Sequence, residues 1–135
     1  MLRQNPNPHI RVFAIWEPIL PTDYARPGTA VLARLSDTRV AQYWDKDHLF
    51  AGQLGRKLES DASHPQPKCC TQRGIQWDEV AVYGSDARWD GELPRAVFLN
   101  GPVVRAGDFA GAVTALLTST DHVGTGARIS ESTRE

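Results

Sequence analysis

Two adjacent cysteines, Cys69-Cys70, are the sharpest chemical feature of this 135-residue chain. Neighbouring cysteines can close a vicinal disulfide or hold a soft thiophilic metal through both sulfurs. Lys68 and Arg73 stand beside them, and positive charge near a thiol favours the thiolate, which is the reactive form. His64 lies five residues before Cys69 and adds an imidazole nitrogen. A structural zinc site takes four ligands, commonly in paired groups. Only His64, Cys69 and Cys70 are candidates here, so no metal is expected. In a reducing compartment two free thiols in a loop are the commoner outcome for such a pair. Cys69 and Cys70 are nevertheless the catalytic candidates for thiol chemistry.

A second constellation is acidic. Glu17 and Asp23 fall in one loop, and Asp45, Asp47 and His48 fall at a later strand–helix junction. If the strands before them are parallel, both loops leave the carboxyl edge of the sheet, where open α/β sheets bind ligands. A carboxylate beside an imidazole there can transfer protons. The plainer reading is that Asp45 or Asp47 caps a helix and Asp23 closes a turn through its own backbone. Trp16, Trp44, Trp77, Trp89, Tyr43 and Tyr83 could line a pocket at that edge, although such residues mostly fill cores. The chain has no Walker loop, no Gly-x-Gly-x-x-Gly and no Gly-x-Ser-x-Gly elbow, so phosphate cradling and the hydrolase nucleophile lack support.

These residues must be positioned by one domain, because 135 residues suit a single core. A formal net charge of −1 makes no field that would steer a polyanion, so neither nucleic acid nor a membrane surface is an expected partner. No run reaches the roughly 18 apolar residues of a membrane span. The opening residues lack the apolar core of a secretory signal, and the cytoplasm is the expected compartment.

Residues 1–9 contain two Asn-Pro steps and read as a disordered arm. Residues 10–16 begin with alternation and end as a continuous apolar run, the pattern of a strand buried on both faces. Pro18, Pro21 and Pro27 forbid a helix interior and make residues 17–28 a structured loop. Thr29 can cap a short helix, residues 39–44 favour a strand, and Leu49, Phe50, Leu54 and Leu58 keep helical spacing. Residues 60–74 read as a long loop and residues 75–83 as a strand. Residues 93–104 read as a hairpin turning at Asn100-Gly101. Asp108 can cap a closing helix whose inner stripe is Phe109, Val113, Leu116 and Leu117. The domain is thus expected over residues 10–118, with a flexible tail over 119–135.

This order, with a proline ahead of the last hairpin, resembles the thioredoxin-like fold. Three segments sharpen the resemblance: VFAIWEPILPTD at 12–23, DTRVAQYWD at 37–45 and WDEVAVY at 77–83, with ARW at 87–89 beyond. Together they are similar to a group of uncharacterised bacterial proteins that have a thioredoxin-like fold without the Cys-x-x-Cys motif. The resemblance implies a three-layer α/β/α sandwich with a mixed central sheet, and a cis proline at Pro94. It also implies that the ordinary dithiol site is occupied here by the Trp16-Glu17-Pro18 loop. The expected function is therefore a non-catalytic module binding a protein or small molecule through Trp16, Glu17, Pro18, Asp23 and Pro94. It needs no cofactor, and a homodimer is compatible with it. The alternative is thiol redox chemistry or soft-metal handling at Cys69-Cys70, and a further reading is acid–base catalysis by Glu17, Asp23, Asp45 and His48.

Overall fold

Val12–Trp16 (β1) and Val40–Trp44 (β2) are rich in β-branched and aromatic residues, which suit a pleated surface. They pair in parallel, in register from Val12 opposite Val40 to Trp16 opposite Trp44. Parallel neighbours need a crossover, and Thr29–Leu32 (α1) with the 3-10 turn Ala33–Leu35 supplies it. Gly28, rather than Thr29, occupies the N-cap of α1. The computed structural model describes residues 2–105 and 107–123.

The remaining elements are Leu49–Ser60 (α2), Thr71–Gln72 (β3), Ile75–Gln76 (β4), Val80–Val82 (β5), Phe98–Asn100 (β6) and Phe109–Val123 (α3). Helices and strands are therefore mixed along the chain, which is compatible with an α/β protein. Among the described residues the strands form three two-stranded sheets rather than one mixed central sheet. β1 accordingly pairs on one side only, and its outward face is not buried: Phe13 is 65% exposed and lies beside Tyr43, 52% exposed. No helix among the described residues is long and apolar enough to cross a membrane.

The core gathers at one end of α2. Leu54 and Leu58 meet Leu93, Ala96 and Leu99, with Phe50, Ala81 and Tyr83 packed around them. β5 and β6 pair antiparallel, Val80 opposite Asn100 and Val82 opposite Phe98. The hairpin expected at Asn100-Gly101 does not form. Pro102 has no N–H to continue a ladder, and the chain instead enters the 3-10 turn Val103–Arg105, where the Val103 N–H donates to the Asp78 carbonyl at 2.9 Å. The cis proline is also elsewhere. The Leu93–Pro94 bond is trans and the Gly101–Pro102 bond is cis. Pro94 stands in the segment that carries Leu93 and Ala96 into the core, where the chain makes no reversal.

The N-terminal arm is tied down. Arg39 donates to the carbonyls of Leu2, Asn5 and Asn7 at 2.8, 2.6 and 3.1 Å, and also to Asp37 at 2.7 Å. The hydrogen bonds that the Arg39 side chain and backbone N–H donate to Asp37, before the charge of the guanidinium, hold that carboxyl well below the usual range. At the other end, α3 extends to Val123, past the point where the tail was expected to begin. The rest of that tail, 124–135, lies outside the described residues.

The long loop read over 60–74 holds a small hairpin instead. β3 and β4 pair through Thr71 opposite Gln76, joined by Arg73 and Gly74 at φ 54° and 77°. Two successive left-handed residues are the signature of a type I′ turn, whose twist suits a two-stranded ribbon. This turn presses on α2: a Cβ on Gly55 would lie 1.9 Å from the Gly74 carbonyl oxygen. Helix position 55 must therefore be glycine, despite glycine's poor helix propensity. Gly55→Ala should destabilise the protein by about 3 kcal/mol or more, read as a lower urea midpoint. An unchanged midpoint would mean that the turn does not rest on the helix.

Candidate functional site

The parallel pairing of β1 and β2 fixes the first half of the site. Glu17 follows β1 directly, and His48 follows β2 by a short turn, so both leave the same carboxyl edge. The Asp45 N–H donates to the Trp16 carbonyl at 2.8 Å and holds the two loop starts together. Asp45 then caps α2, its two oxygens accepting the Leu49 and Phe50 N–H groups at 2.8 Å each. His48 occupies the N-cap position in a left-handed conformation, φ 54°. From there its Nδ1 donates to Glu17 Oε2 at 2.9 Å. Burial raises the Glu17 carboxyl above its ordinary value, against the opposing hydrogen bond and charge of His48. A carboxylate on Nδ1 fixes the tautomer and leaves Nε2 for a ligand.

His48 also lines a cleft of about 430 Å³ between α2 and the β3–β4 turn, with Asp47, Gly52, Arg56, Glu59, Arg73, Gly74 and Ile75. Among the described residues, neither guanidinium nor either of these two carboxylates is in an ion pair within the cleft. The cleft exists because Gly55 lets the turn approach.

The second half of the site is sulfur. Cys69 and Cys70 are joined in a disulfide, so they are not the two free thiols expected of a reducing compartment. Both residues are half-buried, and Cys70 is left-handed, φ 71°. The Cys70 carbonyl accepts the Trp77 N–H at 3.0 Å, at the base of the β3–β4 hairpin. Gly101 packs on the sulfur: a Cβ there would meet the Asp78 carbonyl oxygen at 2.9 Å, Glu79 Cγ at 3.1 Å and Cys69 Sγ at 3.2 Å. Glu79 thus lies in the same small space as Cys69. Both of its carboxyl oxygens are buried, with no hydrogen-bond partner among the described residues. Burial first, then the negative charges of Glu17 and Asp78, pushes Glu79 up to about 8. A carboxyl in that position is protonated at neutral pH. The influence of Glu17 on Glu79 links the sulfur half of the site to the His48 half.

His48, Cys70, Arg73 and Asp78 are the non-glycine residues at positive φ among those described. All four sit in the loops that carry this site. Left-handed backbone costs about 1 kcal/mol per ordinary residue, and such residues persist where their surroundings over-determine them.

The other sequence candidates divide between structure and surface. His64 is no metal ligand: it is 2% exposed, its Nδ1 is bonded to the Pro65 carbonyl at 3.0 Å and its Nε2 accepts the Ala96 N–H at 3.1 Å. Its two nitrogens are spent on the core, and no group of three or more metal-ligating side chains occurs among the described residues. Asp23 does not join Glu17 and His48; it accepts the Leu20 N–H at 2.9 Å and closes its own turn. The indole of Trp16 donates to Gln42 at 3.1 Å. Pro18 is half-buried beside Glu17. Glu79, Arg56 and Gly101 carried no chemical signal in the sequence. Glu79 had one available clue, a charged residue directly ahead of the apolar run Val80-Ala81-Val82.

Compared with protein-family models, with curated proteins and with solved structures, the chain matches none.

The raised Glu79 carboxyl sets a pH dependence. In the unfolded chain this group loses its proton near 4.5, and in the folded protein only near 8. Between those values the folded state binds the extra proton, so stability falls as pH rises. Glu79→Gln removes that dependence. The variant should exceed the wild type in urea midpoint at pH 8, and the gap should close towards pH 5. A constant gap would contradict a buried, protonated Glu79.

Proposed function

We propose that this chain is a thioredoxin-like α/β domain whose chemistry is thiol–disulfide exchange at Cys69-Cys70, displaced from the family's ordinary dithiol site. The fold part of the reading is supported by the element order and by two pairings, β1 with β2 in parallel and β5 with β6 antiparallel. The chemical part rests on one observation: Cys69 Sγ of the disulfide and Cγ of Glu79, whose carboxyl is buried and unpaired, lie 3.2 and 3.1 Å from where a Cβ on Gly101 would stand.

The exchange balances with a thiol reductant. Its thiolate attacks one sulfur of the pair, and the S–S electron pair leaves on the other. If Cys69 is the leaving sulfur, protonated Glu79 beside it supplies the proton and is reprotonated from solvent. A second thiol then attacks the mixed disulfide, releasing the oxidised reductant and leaving Cys69 and Cys70 as thiols. Two electrons and two protons have passed from two thiols to the pair.

A second reading is binding of a protein or small molecule by loop 16–28. It is favoured by Leu20 and Tyr24, which are 60% and 88% exposed. It is weakened by Trp16 and Asp23, whose polar groups are used internally.

Alkylation followed by mass spectrometry tests the exchange reading. Purified protein should take up two alkyl groups only after treatment with dithiothreitol. The wild type should also accelerate exchange between dithiothreitol and a chromogenic disulfide, with Cys69→Ser and Cys70→Ser at the uncatalysed rate. Full alkylation without reductant, combined with no acceleration, would leave the binding reading in its place.

A further inference from the structure

The cleft at the turn end of the β3–β4 hairpin has a chemistry that disulfide exchange by itself does not use. Arg56 comes from α2 and Arg73 from the β3–β4 turn, so two arginines from different elements line one space. Both are free of ion pairs among the described residues. Planar guanidiniums recognise carboxylates through paired hydrogen bonds. His48 adds a ring nitrogen whose opposite side is anchored on Glu17 at 2.9 Å. Asp47 and Glu59 line the same cleft and suit an ammonium group. Charges of both signs select a zwitterion, since a simple polyanion would face Asp47 and Glu59 as well as the arginines.

The position of the cleft says what the zwitterion carries. Cys70 stands at the base of the β3–β4 hairpin and Arg73 in its turn. A strand advances about 3.3 Å per residue, so the two ends are roughly 10 Å apart. An extended tripeptide covers about the same distance. The cleft volume of about 430 Å³ falls in the usual range for small-molecule sites, roughly 300–1,000 Å³. A ligand of that length with its carboxylate on Arg56 and Arg73 spans the distance from the turn to the backbone of Cys70.

We infer that the Arg56–Arg73–His48 cleft docks the charged end of the reductant, a zwitterionic low-molecular-weight thiol of peptide size. This rests on the exchange reading above and names its substrate class. Docking raises the local thiol concentration at the disulfide, which is the advantage of tethering a reactant. Arg56 and Arg73 are positioning residues in this scheme, because they touch the distal end of the thiol and not the reacting sulfurs. The cleft is open to water, so each arginine contributes modestly.

The test compares two thiols as reductants of the full chain. Glutathione is the zwitterionic probe and 2-mercaptoethanol the uncharged one, with rates expressed per thiolate. Reduction by glutathione should saturate with concentration, and reduction by 2-mercaptoethanol should stay linear. In Arg56→Gln and Arg73→Gln the half-saturating glutathione concentration should rise about twofold to fivefold, each fold-change reflecting one modest charged contact. The maximal rate should hold, and rates with 2-mercaptoethanol should match the wild type. A linear glutathione response, or variants indistinguishable from the wild type, would overturn the inference. Equal slowing with both thiols would also overturn it, by assigning the arginines to structure. Failure of both thiols to reduce the wild type would instead remove the exchange reading itself.

Discussion

The carbonyl oxygen of Gly74 lies where a side chain on Gly55 would begin, and much of the site hangs on that contact. It lets a two-residue turn settle on the side of α2. The turn brings Arg73 over the helix that carries Arg56 and Glu59, and so encloses the cleft. At its other end the same hairpin holds Cys70 through the Trp77 hydrogen bond. One missing methyl group thus sets the spacing between the charged cleft and the disulfide. The buried face of α2, with Leu54 and Leu58 in the core, is the rigid surface against which this spacing is held.

Electrostatics then binds the halves together. Glu17 serves two neighbours: it accepts from His48, and its charge helps to keep Glu79 protonated. A second ionised carboxylate beside it would be costly in a half-buried site. The same logic explains why Asp45 is kept apart from proton chemistry. Its two oxygens are consumed by the first amides of α2, where a negative charge also favours the helix N-terminus.

Local signals were legible where they depended on neighbours in the chain. Val12–Trp16, Val40–Trp44 and the spacing of Leu49, Phe50, Leu54 and Leu58 marked their own elements. The meeting of Glu17 with His48 followed from parallel strands that end together. The option of a bond between Cys69 and Cys70 was visible from adjacency alone. What could not be read depended on distant approach. Nothing in Arg73-Gly74 announces a turn resting on Gly55, because that glycine is nineteen residues earlier in a helix. Asn100-Gly101 carries a strong hairpin signal, yet β6 already has a partner in β5, and Pro102 stops the ladder. His64 resembled a metal ligand in sequence because its true partners, Pro65 and Ala96, are backbone groups. Glu79 is ordinary in sequence, and only its enclosure beside Gly101 makes it unusual.

The attachment of the N-terminal arm has a different kind of consequence. Arg39 grips the carbonyls of Leu2, Asn5 and Asn7 and none of their side chains. Peptide carbonyls are present whatever residue stands there, so the grip reads the path of the chain and not its lettering. Apart from Asn5 and Asn7, whose side-chain oxygens accept the Asn7 and His9 N–H groups, substitution can therefore roam over residues 2–9 with little penalty, provided the backbone keeps its course. The sequence constraint is concentrated instead in Asp37 and Arg39, one to orient the guanidinium and the other to hold the arm. Freedom and restriction in this part of the molecule are thus separated along the chain although they touch in space.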